Sequence, residues 1–554
     1  MTTELLATIA PGAPLLAAMV LLDRRPPPPV ATRIALGAAV TAAAAALLLL
    51  FLVPAGGTPL WNGLLSVARP GLMIALLAAT IAALVIAFAG RAFAGDGGER
   101  RFARLASLLT AGTITLALAG NIIVLAIAWI VVGQALVGLL GHRATAASRY
   151  AVRQTRRALL VGDGALLVAS AVVLGSIGVL SLHGDPAASV AELTAISVPG
   201  IDAISWLDVV AVLVVVAAIS RSALVPLHRW LPTTLAAPTP VSALLHAGVV
   251  NGAGVLLLAL APVFGAAPAA TALAFGAGTA TAVLAMAIML VRTDVKGGLA
   301  WSTAGQMGFM VVQLAIGAFG AALFHLVGHG LYKAAAFLGA GGAIGAHAQA
   351  RHHPRVTVAP SQITRRLAVV LLPTVGVALV WWGLDPGFSP AKTLLVVAVA
   401  WLLAAHLVAG WLRIGPLGVG GSLAAAAVGV PVVAGGYLGA LIGFERFVSP
   451  ALPPVGDAVV GVVPLAVVLG ATGAVALLLA LLPESAPLRV RVHAMLTGVS
   501  IRPVPVAAVA SSGPGTARTG GVPAGAVDHS RQPTAERVPS GSRASYALPS
   551  EVVR

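Results

Sequence analysis

The chain has 554 residues, of which 59% are hydrophobic and only 9% charged, whereas soluble domains carry roughly 25% charged residues. This composition excludes an ordinary soluble protein and predicts an all-α polytopic membrane protein, because a spanning helix satisfies its own backbone polar groups. The lack of cysteine excludes disulfides, iron–sulfur clusters and thiolate metal sites from this chain, and the net charge of +16 lies in loops and tail, where it indicates orientation and not nucleic-acid binding.

A membrane-spanning helix needs about 20 apolar residues, and the sequence offers fourteen or fifteen such stretches. The first stretch lacks a basic start, so we interpret it as a span and not as a cleaved signal peptide. The predicted spans are residues 4–22, 33–53, 71–90, 103–119, 121–140, 157–182, 205–225, 237–262, 268–291, 299–318, 320–345, 366–383, 393–412, 419–443 and 458–482.

Basic residues are concentrated in every second loop, and the loop at 183–204 between them is acidic. Because cytoplasmic loops are enriched in Lys and Arg, we expect the odd-numbered loops and the tail to face the cytoplasm of a bacterial cell, with the N-terminus outside the inner membrane. The basic residues of the odd-numbered loops are Arg24, Arg25, Arg33, Arg91, Arg100, Arg101, Arg104, Arg143, Arg149, Arg153, Arg156, Arg157, Arg292, Lys296, Arg351, Arg355, Arg365 and Arg366.

The spans are grouped into N-terminal helices (1–104), a central core (105–345) and C-terminal helices (346–483), followed by a tail (484–554). The tail is rich in Pro, Gly, Ser, Thr and Arg, and we expect disorder from about residue 510. Its arginines either contact anionic lipid headgroups or form a solvated tail with no task.

A broken helix is predicted near 221–240, where Arg221 is followed by Pro226, Pro232, Pro238 and Pro240. Proline removes a backbone donor and clashes with the preceding turn, so no straight helix crosses this segment. Irregular backbone at membrane depth is tolerated only against protein or a wet cavity, so a break that carries charge indicates an ion path. The alternative is a re-entrant connector between two ordinary helices.

Three titratable residues recur at four-residue steps in the span at 320–345: His325, His329 and Lys333. This spacing places them on one helix face over roughly 12 Å. Imidazole exchanges protons near neutral pH and a buried amine can do likewise, so the strip predicts a proton relay. The alternatives are histidines bonded to neighbouring backbone with a snorkelling lysine, or a zinc site, for which a third ligand is missing.

Three other charged residues lie in or beside predicted spans, and two of them, Asp163 and Lys296, can each be interpreted in two ways. Asp163 lies in the sixth span and is either a buried carboxylate paired with a nearby arginine or an interfacial group. Lys296 lies at a predicted cytoplasmic boundary and is either part of the path or an orientation charge. Lys392 borders an outer loop, where we expect it to snorkel.

No phosphate loop, dinucleotide-binding turn or nucleophile elbow is recognisable. We therefore expect no cofactor in this chain and no active site of its own; the chain is interpreted as a transporter subunit.

Two long motifs give the sequence a family resemblance: SALVPLHRWLPTTLAAPTPVSALLHAG, and DVKGGLAWSTAGQMGFM followed by HLVGHGLYKAAAFL. They resemble the proton-translocating antiporter-like superfamily, which includes the large membrane subunits of respiratory complex I, the Mrp antiporters and DabB, the membrane subunit of DAB inorganic carbon transporters. The resemblance covers about residues 120–345 and implies the antiporter-like subunit fold.

Within this superfamily the details are most similar to DabB. The segment HAGVVN at 246–251 resembles the DabB version, Ile130 stands after Trp129 where complex I subunits carry a glutamate, and Arg221 stands where they carry a lysine. The resemblance implies an ion path along Arg221, His246, Lys296, His325, His329 and Lys333, with Asp163 as a candidate charge partner.

The same resemblance implies the function. The chain would translocate H⁺ or Na⁺ and energise a zinc-containing, carbonic-anhydrase-like partner, DabA, in the uptake of CO2 as bicarbonate. The alternatives are a proton-pumping subunit L/5-like component of NADH-quinone oxidoreductase, which would make the complex a translocase, and a subunit of an Mrp-type cation/proton antiporter.

Overall fold

The computed structural model describes residues 2–23, 25–54, 56–182, 187–342, 362–384, 387–414, 418–452, 459–481 and 487–500. Of the predicted features, Arg24, Arg351, Arg355 and the tail from residue 501 onward lie outside the described residues. The beginning of the predicted tail, Pro487–Ser500, forms a helix.

The described part of the chain contains nineteen α-helices. They are α1 (Thr2–Val20), α2 (Pro28–Leu52), α3 (Arg69–Ala92), α4 (Glu99–Ala117), α5 (Ile122–Leu140), α6 (Ala146–Ile177), α7 (Ala187–Ala195), α8 (Trp206–Arg221), α9 (Thr239–Ala247), α10 (Gly252–Ala259), α11 (Ala261–Gly265), α12 (Pro268–Val291), α13 (Val295–Ala315), α14 (Phe319–Leu338), α15 (Gln362–Leu384), α16 (Pro390–Ile414), α17 (Gly418–Val448), α18 (Val462–Leu481) and α19 (Pro487–Ser500). Two short hairpins pair β1 (Thr58–Leu60) with β2 (Leu65–Val67) and β3 (Ser197–Val198) with β4 (Ile201–Ser205).

Each of the fifteen predicted spans coincides with one of these helices, or with the α9–α10 pair, which confirms the all-α polytopic fold. Within the described ranges, eleven helices are long and apolar enough to cross a membrane, with α9 and α10 counted together. The other four spans are shorter or more polar. For example, α8 has 16 residues, and α13 carries the polar side chains Ser302, Gln306 and Gln313.

The loops between spans fall on two opposite faces, as the charge pattern requires. On one face, Arg100 donates to the carbonyl of Pro26, and Arg101 donates to the carbonyls of Gly138 and Gly141. On the other face, isolated β-bridges join Leu65 to Ala119 and Asn121 to Ser181. The face that carries Arg100 and Arg101 is the arginine-rich one. Its orientation toward the cytoplasm stays a prediction.

The predicted break after Arg221 is present. Helix α8 ends there, a 3-10 helix covers Leu227–Ala236, and α9 starts at Thr239. A second interruption at Val249–Asn251, which the sequence did not predict, separates α9 from α10. The Ser222 hydroxyl explains it, since it donates to the carbonyl of Val250 and accepts from the backbone amide of Ala253 at 2.9 Å. The hydrogen bonds of Ser222 therefore connect the break after α8 to the break between α9 and α10.

Among the eleven candidate spans of the described residues, the α9–α10 pair is the most enclosed, with 94% of its membrane-length window buried. Its neighbours are α3, α5, α8, α13 and α14, which contribute to one large apolar core. A second core joins the far side of α13 and α14 to helices α15–α18. Any polar side chain on α9, or on the faces of α13 and α14 turned toward it, therefore lies deep inside protein.

Candidate functional site

Arg221 lies at the end of α8 and is only 1% exposed. Its Nη2 donates to Oδ1 of Asp163 on α6 and to the carbonyl of Trp129 on α5, both at 3.0 Å. The guanidinium carbon lies 4.0 Å above the indole ring of Trp129, a cation–π contact. Its Nε and Nη1 are buried without a hydrogen-bond partner among the described residues. The partner of Asp163 is therefore Arg221, which is distant in sequence, and not one of the arginines next to it.

Two glycines leave the space that Arg221 fills. A Cβ atom on Gly133 would lie 3.0 Å from Nη2 of Arg221, and one on Gly252 would lie 2.6 Å from its Cγ. Any larger residue at either position therefore needs the buried arginine to move.

We expect Gly252→Ala to displace Arg221 and to reduce transport severalfold, because the new methyl group overlaps the arginine side chain. Transport by the purified complex and its thermal unfolding temperature measure the two consequences. Gly276→Ala in α12 is the matched control, since a Cβ there meets no atom within 4 Å. Native transport by Gly252→Ala would show that the position of Arg221 is not critical.

Helices α13 and α14 run antiparallel, and three polar pairs connect them at successive levels. His325 Nδ1 lies 2.9 Å from Gln313 Oε1, and His329 Nδ1 lies 2.8 Å from Gln306 Oε1. Lys333 Nζ donates to the hydroxyl of Ser302. We call these three pairs the polar ladder, and list them as Gln313–His325, Gln306–His329 and Ser302–Lys333.

The polar ladder is largely sealed from the surroundings. Lys333 is 0% exposed and His329 and Gln313 are each 4% exposed. Lys333 also donates to the carbonyl of Leu299 at 3.2 Å, and the rings of His325 and His329 lie 6.0 Å apart, edge to face. Buried ionisable groups in register inside an apolar bundle are costly and are typically functional.

The middle pair of the polar ladder has a proton-dependent geometry. His329 Nε2 lies 3.1 Å from the carbonyl of His246, so Nε2 must carry a hydrogen. Nδ1 then donates to Gln306 Oε1 if the ring is a cation, or accepts from the Gln306 amide nitrogen if the ring is neutral and the amide is turned over. Gln306 can therefore stabilise either protonation state of His329 by rotating its amide.

His246 of α9 contacts the polar ladder through its backbone carbonyl and not through its ring nitrogens. It is 0% exposed, and its ring stacks on Phe337 with centroids 4.4 Å apart and planes 9° apart. Both ring nitrogens are buried without a partner among the described residues, and it is the carbonyl of His246 that contacts His329. Nearby, Asn251 donates to the carbonyl of Ala247 while its side-chain oxygen is unpartnered in the described structure. Unpartnered buried groups of this kind are usual ligands of internal water.

Lys296 lies apart from the buried groups, in the first turn of α13. It lines an open surface pocket of about 540 Å³ together with Thr239, Asp294, Ala340 and other residues at the arginine-rich face. Asp294 caps α13 by accepting from the backbone amide of Gly297 at 2.6 Å. The structure thus places Lys296 at a surface opening near the Lys333 end of the polar ladder, without a direct contact to it among the described residues.

The structure brings Arg221 and Asp163 into one cluster and His325, His329 and Lys333 into another. His246 lies on α9, with its ring stacked on Phe337 of α14. Sequence reasoning missed Trp129 and the α13 side of the polar ladder. The signal was present, because Ser302, Gln306 and Gln313 are spaced by four and seven residues and so share one face of an otherwise apolar helix. No three His, Cys, Asp or Glu side chains of the described residues converge as they would to hold a metal ion.

Comparisons with known proteins agree with this architecture. Residues 119–413 match the family model described as NADH:quinone oxidoreductase/Mrp antiporter, transmembrane. The "probable inorganic carbon transporter subunit DabB1" of Halothiobacillus neapolitanus is 36% identical over 314 residues, covering 54% of this chain and 53% of the relative. DabB of Hydrogenovibrio crunogenus is 34% identical over 62% of this chain and 64% of the relative.

A second group of relatives belongs to quinone reductases. Chloroplastic NAD(P)H-quinone oxidoreductase subunit 5 of Adiantum capillus-veneris is 35% identical, over 49% of this chain and 37% of that protein. The chain thus matches little more than half the length of the first DabB relative and less of subunit 5.

Two solved complexes show the same fold. The Mrp complex from Dietzia sp. is 21% identical with a TM-score of 0.52, over 92% of this chain and 60% of that chain. The archaeal membrane-bound sulfane sulfur reductase is 17% identical with a TM-score of 0.55, over 89% and 96%.

Proposed function

The chain belongs to the NADH:quinone oxidoreductase/Mrp antiporter membrane family, and from this premise we propose that it is the cation-translocating membrane subunit of an inorganic carbon uptake complex. It is a multi-pass membrane protein. In the proposed complex it lies in the bacterial inner membrane, with its N-terminus outside and its tail in the cytoplasm. It moves H⁺ or Na⁺ and thereby energises a DabA-like, zinc-containing peripheral partner.

The observation that carries the proposal is the polar ladder buried beside two interrupted helices. Its α14 members, His325, His329 and Lys333, can hold a proton, and each has a hydrogen-bond partner on α13 that favours one orientation. Successive titratable residues are separated by about 6 Å along α14, which is too far for a direct hydrogen bond. Transfer between levels therefore uses a bridging water or a side-chain rotation, and the unpartnered ring nitrogens of His246 mark a place for such a water.

Arg221 has a different role from the titratable residues. A guanidinium stays protonated in proteins, so Arg221 cannot pass on a proton itself. It can hold a fixed positive charge at the break, and Asp163 neutralises this charge in the present arrangement. Separation of the pair would raise the positive potential near His246 and drive a cation along the polar ladder. Arg221 and Asp163 are therefore proposed as the switch of the path, and His246, His325, His329 and Lys333 as its conductors.

Lys296 is proposed as the surface end of this path. Its pocket opens on the arginine-rich face, beside the end of α14 that carries Lys333. Its ammonium group places a positive charge at this opening.

The alternative is a proton-pumping membrane subunit of an NADH-quinone oxidoreductase, favoured by the subunit 5 relatives. The DabB assignment is supported by Ile130 and Arg221, which leave this chain without the glutamate and lysine that the complex I resemblance would require. The same residues of this chain would form the ion path in either complex, and only the partner protein would differ.

Identification of the partner protein distinguishes between these functions. Affinity purification of the tagged chain from native membranes should recover a large zinc-containing protein, detected by mass spectrometry and by metal analysis. Recovery of iron–sulfur and flavin subunits instead would select the quinone reductase, and recovery of several small antiporter subunits would select an Mrp-type complex. A mock purification from cells without the tag identifies the background.

A further inference from the structure

Helix α6 is longer than the membrane is thick, and its first turns carry a row of arginines. The helix has 32 residues, which is about 48 Å at 1.5 Å per residue, whereas the hydrocarbon layer is about 30 Å thick. Four exposed arginines lie within an arc of about 100° on its surface, while Ser148, Ala151 and Thr155 of the same turns are buried. We call these four the arginine row, with an outer pair, Arg149 and Arg153, and an inner pair, Arg156 and Arg157.

The exposed apolar side chains of α6 show where the hydrocarbon layer begins. They start at Leu160, which is 59% exposed, and continue through Leu167 and Leu174. Along the helix axis from Leu160, the inner pair lies about 5 Å away, and the outer pair lies about 10 Å and 16 Å away. The headgroup layer is about 5–8 Å thick on each side of the membrane. The inner pair is therefore at headgroup depth, whereas the outer pair lies beyond the headgroups.

The outer pair has no carboxylate partner within the part of the chain that the structure describes. The ion pairs among those residues involve other side chains, and Arg149 donates from Nη1 only to the backbone, at the carbonyl of Ala144, over 2.9 Å. Like charges four residues apart destabilise a helix. An acidic protein surface would offset this repulsion with charge-assisted hydrogen bonds, whereas lipid headgroups lie below the level of the outer pair.

The arginine row belongs to the same helix as Asp163. Helix α6 runs without interruption from the row to this carboxylate. Between them, the hydroxyl of Ser220 donates to the carbonyl of Ala158 at 2.6 Å, and a Cβ atom on Gly162 would lie 2.7 Å from the Cβ of Ser220. Helices α6 and α8 are therefore in close contact beside the pair of Asp163 and Arg221. A protein bound to the outer pair would hold the helix that carries one member of that pair.

We propose that the outer pair of the arginine row is a docking site for an acidic surface of the peripheral partner protein. This inference rests on the proposed function, because it takes the partner of that complex as the occupant, and it adds the place where the partner binds this chain. A guanidinium group binds a carboxylate through two parallel hydrogen bonds. The occupant therefore presents Asp or Glu side chains to two guanidinium groups that are separated by about 6 Å along the helix axis.

The test measures the affinity of the partner, purified from the native complex, for this chain in nanodiscs of phosphatidylcholine, a lipid without net charge. The test variant is Arg149→Glu/Arg153→Glu, which should fold because carboxylates are favourable near a helix N-terminus. Arg25→Glu/Arg33→Glu makes the same change of charge at exposed residues elsewhere on the arginine-rich face and is the matched control. Thermal unfolding shows that each variant is folded, and Arg149→Gln/Arg153→Gln replaces the test variant if that variant is not.

We expect the native chain and the control to bind the partner equally, and Arg149→Glu/Arg153→Glu to bind it at least about tenfold more weakly. For the glutamine variant we expect a loss of about threefold or more, and added salt should weaken native binding. Equal affinity of the native chain and the folded test variant would overturn the docking site and leave the proposed function in place. Native binding that requires phosphatidylglycerol in the nanodisc would assign the arginines to anionic lipid and would also overturn it. A native complex without any peripheral protein would remove both proposals.

Discussion

Lys333→Met is expected to abolish gradient-driven function while leaving the protein folded in the membrane. Lys333 is fully buried, donates to Ser302 and to the Leu299 carbonyl, and ends the polar ladder on the side of the Lys296 pocket. Methionine keeps most of the side-chain volume but has no proton to give, so we expect a loss of roughly 100-fold or more in transport. The measurement is rescue of a carbonic-anhydrase-deficient host at ambient CO2, with the partner subunit co-expressed.

His329→Ala should fail in the same assay, because it removes the only described contact between the polar ladder and the His246 carbonyl. Leu331→Ala is the matched control, since Leu331 lies on the same helix but is 51% exposed on its outer side. Full rescue by both Lys333→Met and His329→Ala would refute the relay.

Asp163→Leu is expected to produce the largest loss of stability of any single change in the site. It leaves the Arg221 cation buried and without its carboxylate, and breaking a buried ion pair in this way costs roughly 3–5 kcal/mol. Arg221→Met should cost less, because the carboxylate left behind can take up a proton, whereas a guanidinium cannot lose one. Thermal unfolding of the purified protein in detergent, followed by the loss of monodisperse material, measures both.

The double variant Asp163→Leu/Arg221→Met is the control for this prediction. It removes both charges, so it should recover most of the stability lost in Asp163→Leu, while transport stays absent because the charge at the break is gone. Equal stability of Asp163→Leu and native protein would show that the pair does not hold α6 and α8 together. Native transport by the double variant would show that the Asp163–Arg221 pair does not act as a switch.

The sequence predicted those features that depend on local pattern. A membrane-length apolar stretch can only be a helix, so the fifteen spans were recognisable, and four prolines within fifteen residues made the break after Arg221 unavoidable. The common face of His325, His329 and Lys333 followed from helical periodicity alone.

The features that the sequence did not predict depend on which helices are neighbours. The resemblance made Asp163 a candidate charge partner, but no local pattern could assign it to Arg221, which is 58 residues away. The second break at Val249–Asn251 likewise involves a distant residue, because the hydroxyl of Ser222 bonds to the backbone there. Nothing in the local pattern of an apolar helix states which helix will lie beside it. The same reason explains why the expectation that Lys392 snorkels named no partner, since the carboxylate that it meets, Glu445, belongs to the next helix in the second core.

Ion flux in proteoliposomes shows whether the polar ladder conducts a cation. The purified complex is reconstituted, a gradient of H⁺ or of Na⁺ is imposed, and the flux is followed with a pH-sensitive and a sodium-sensitive dye in parallel. We predict a flux of one of these ions in the native complex that disappears in Lys333→Met and is retained in Leu331→Ala. Equal flux in the native complex and Lys333→Met, or no flux of either ion in the native complex, would contradict it.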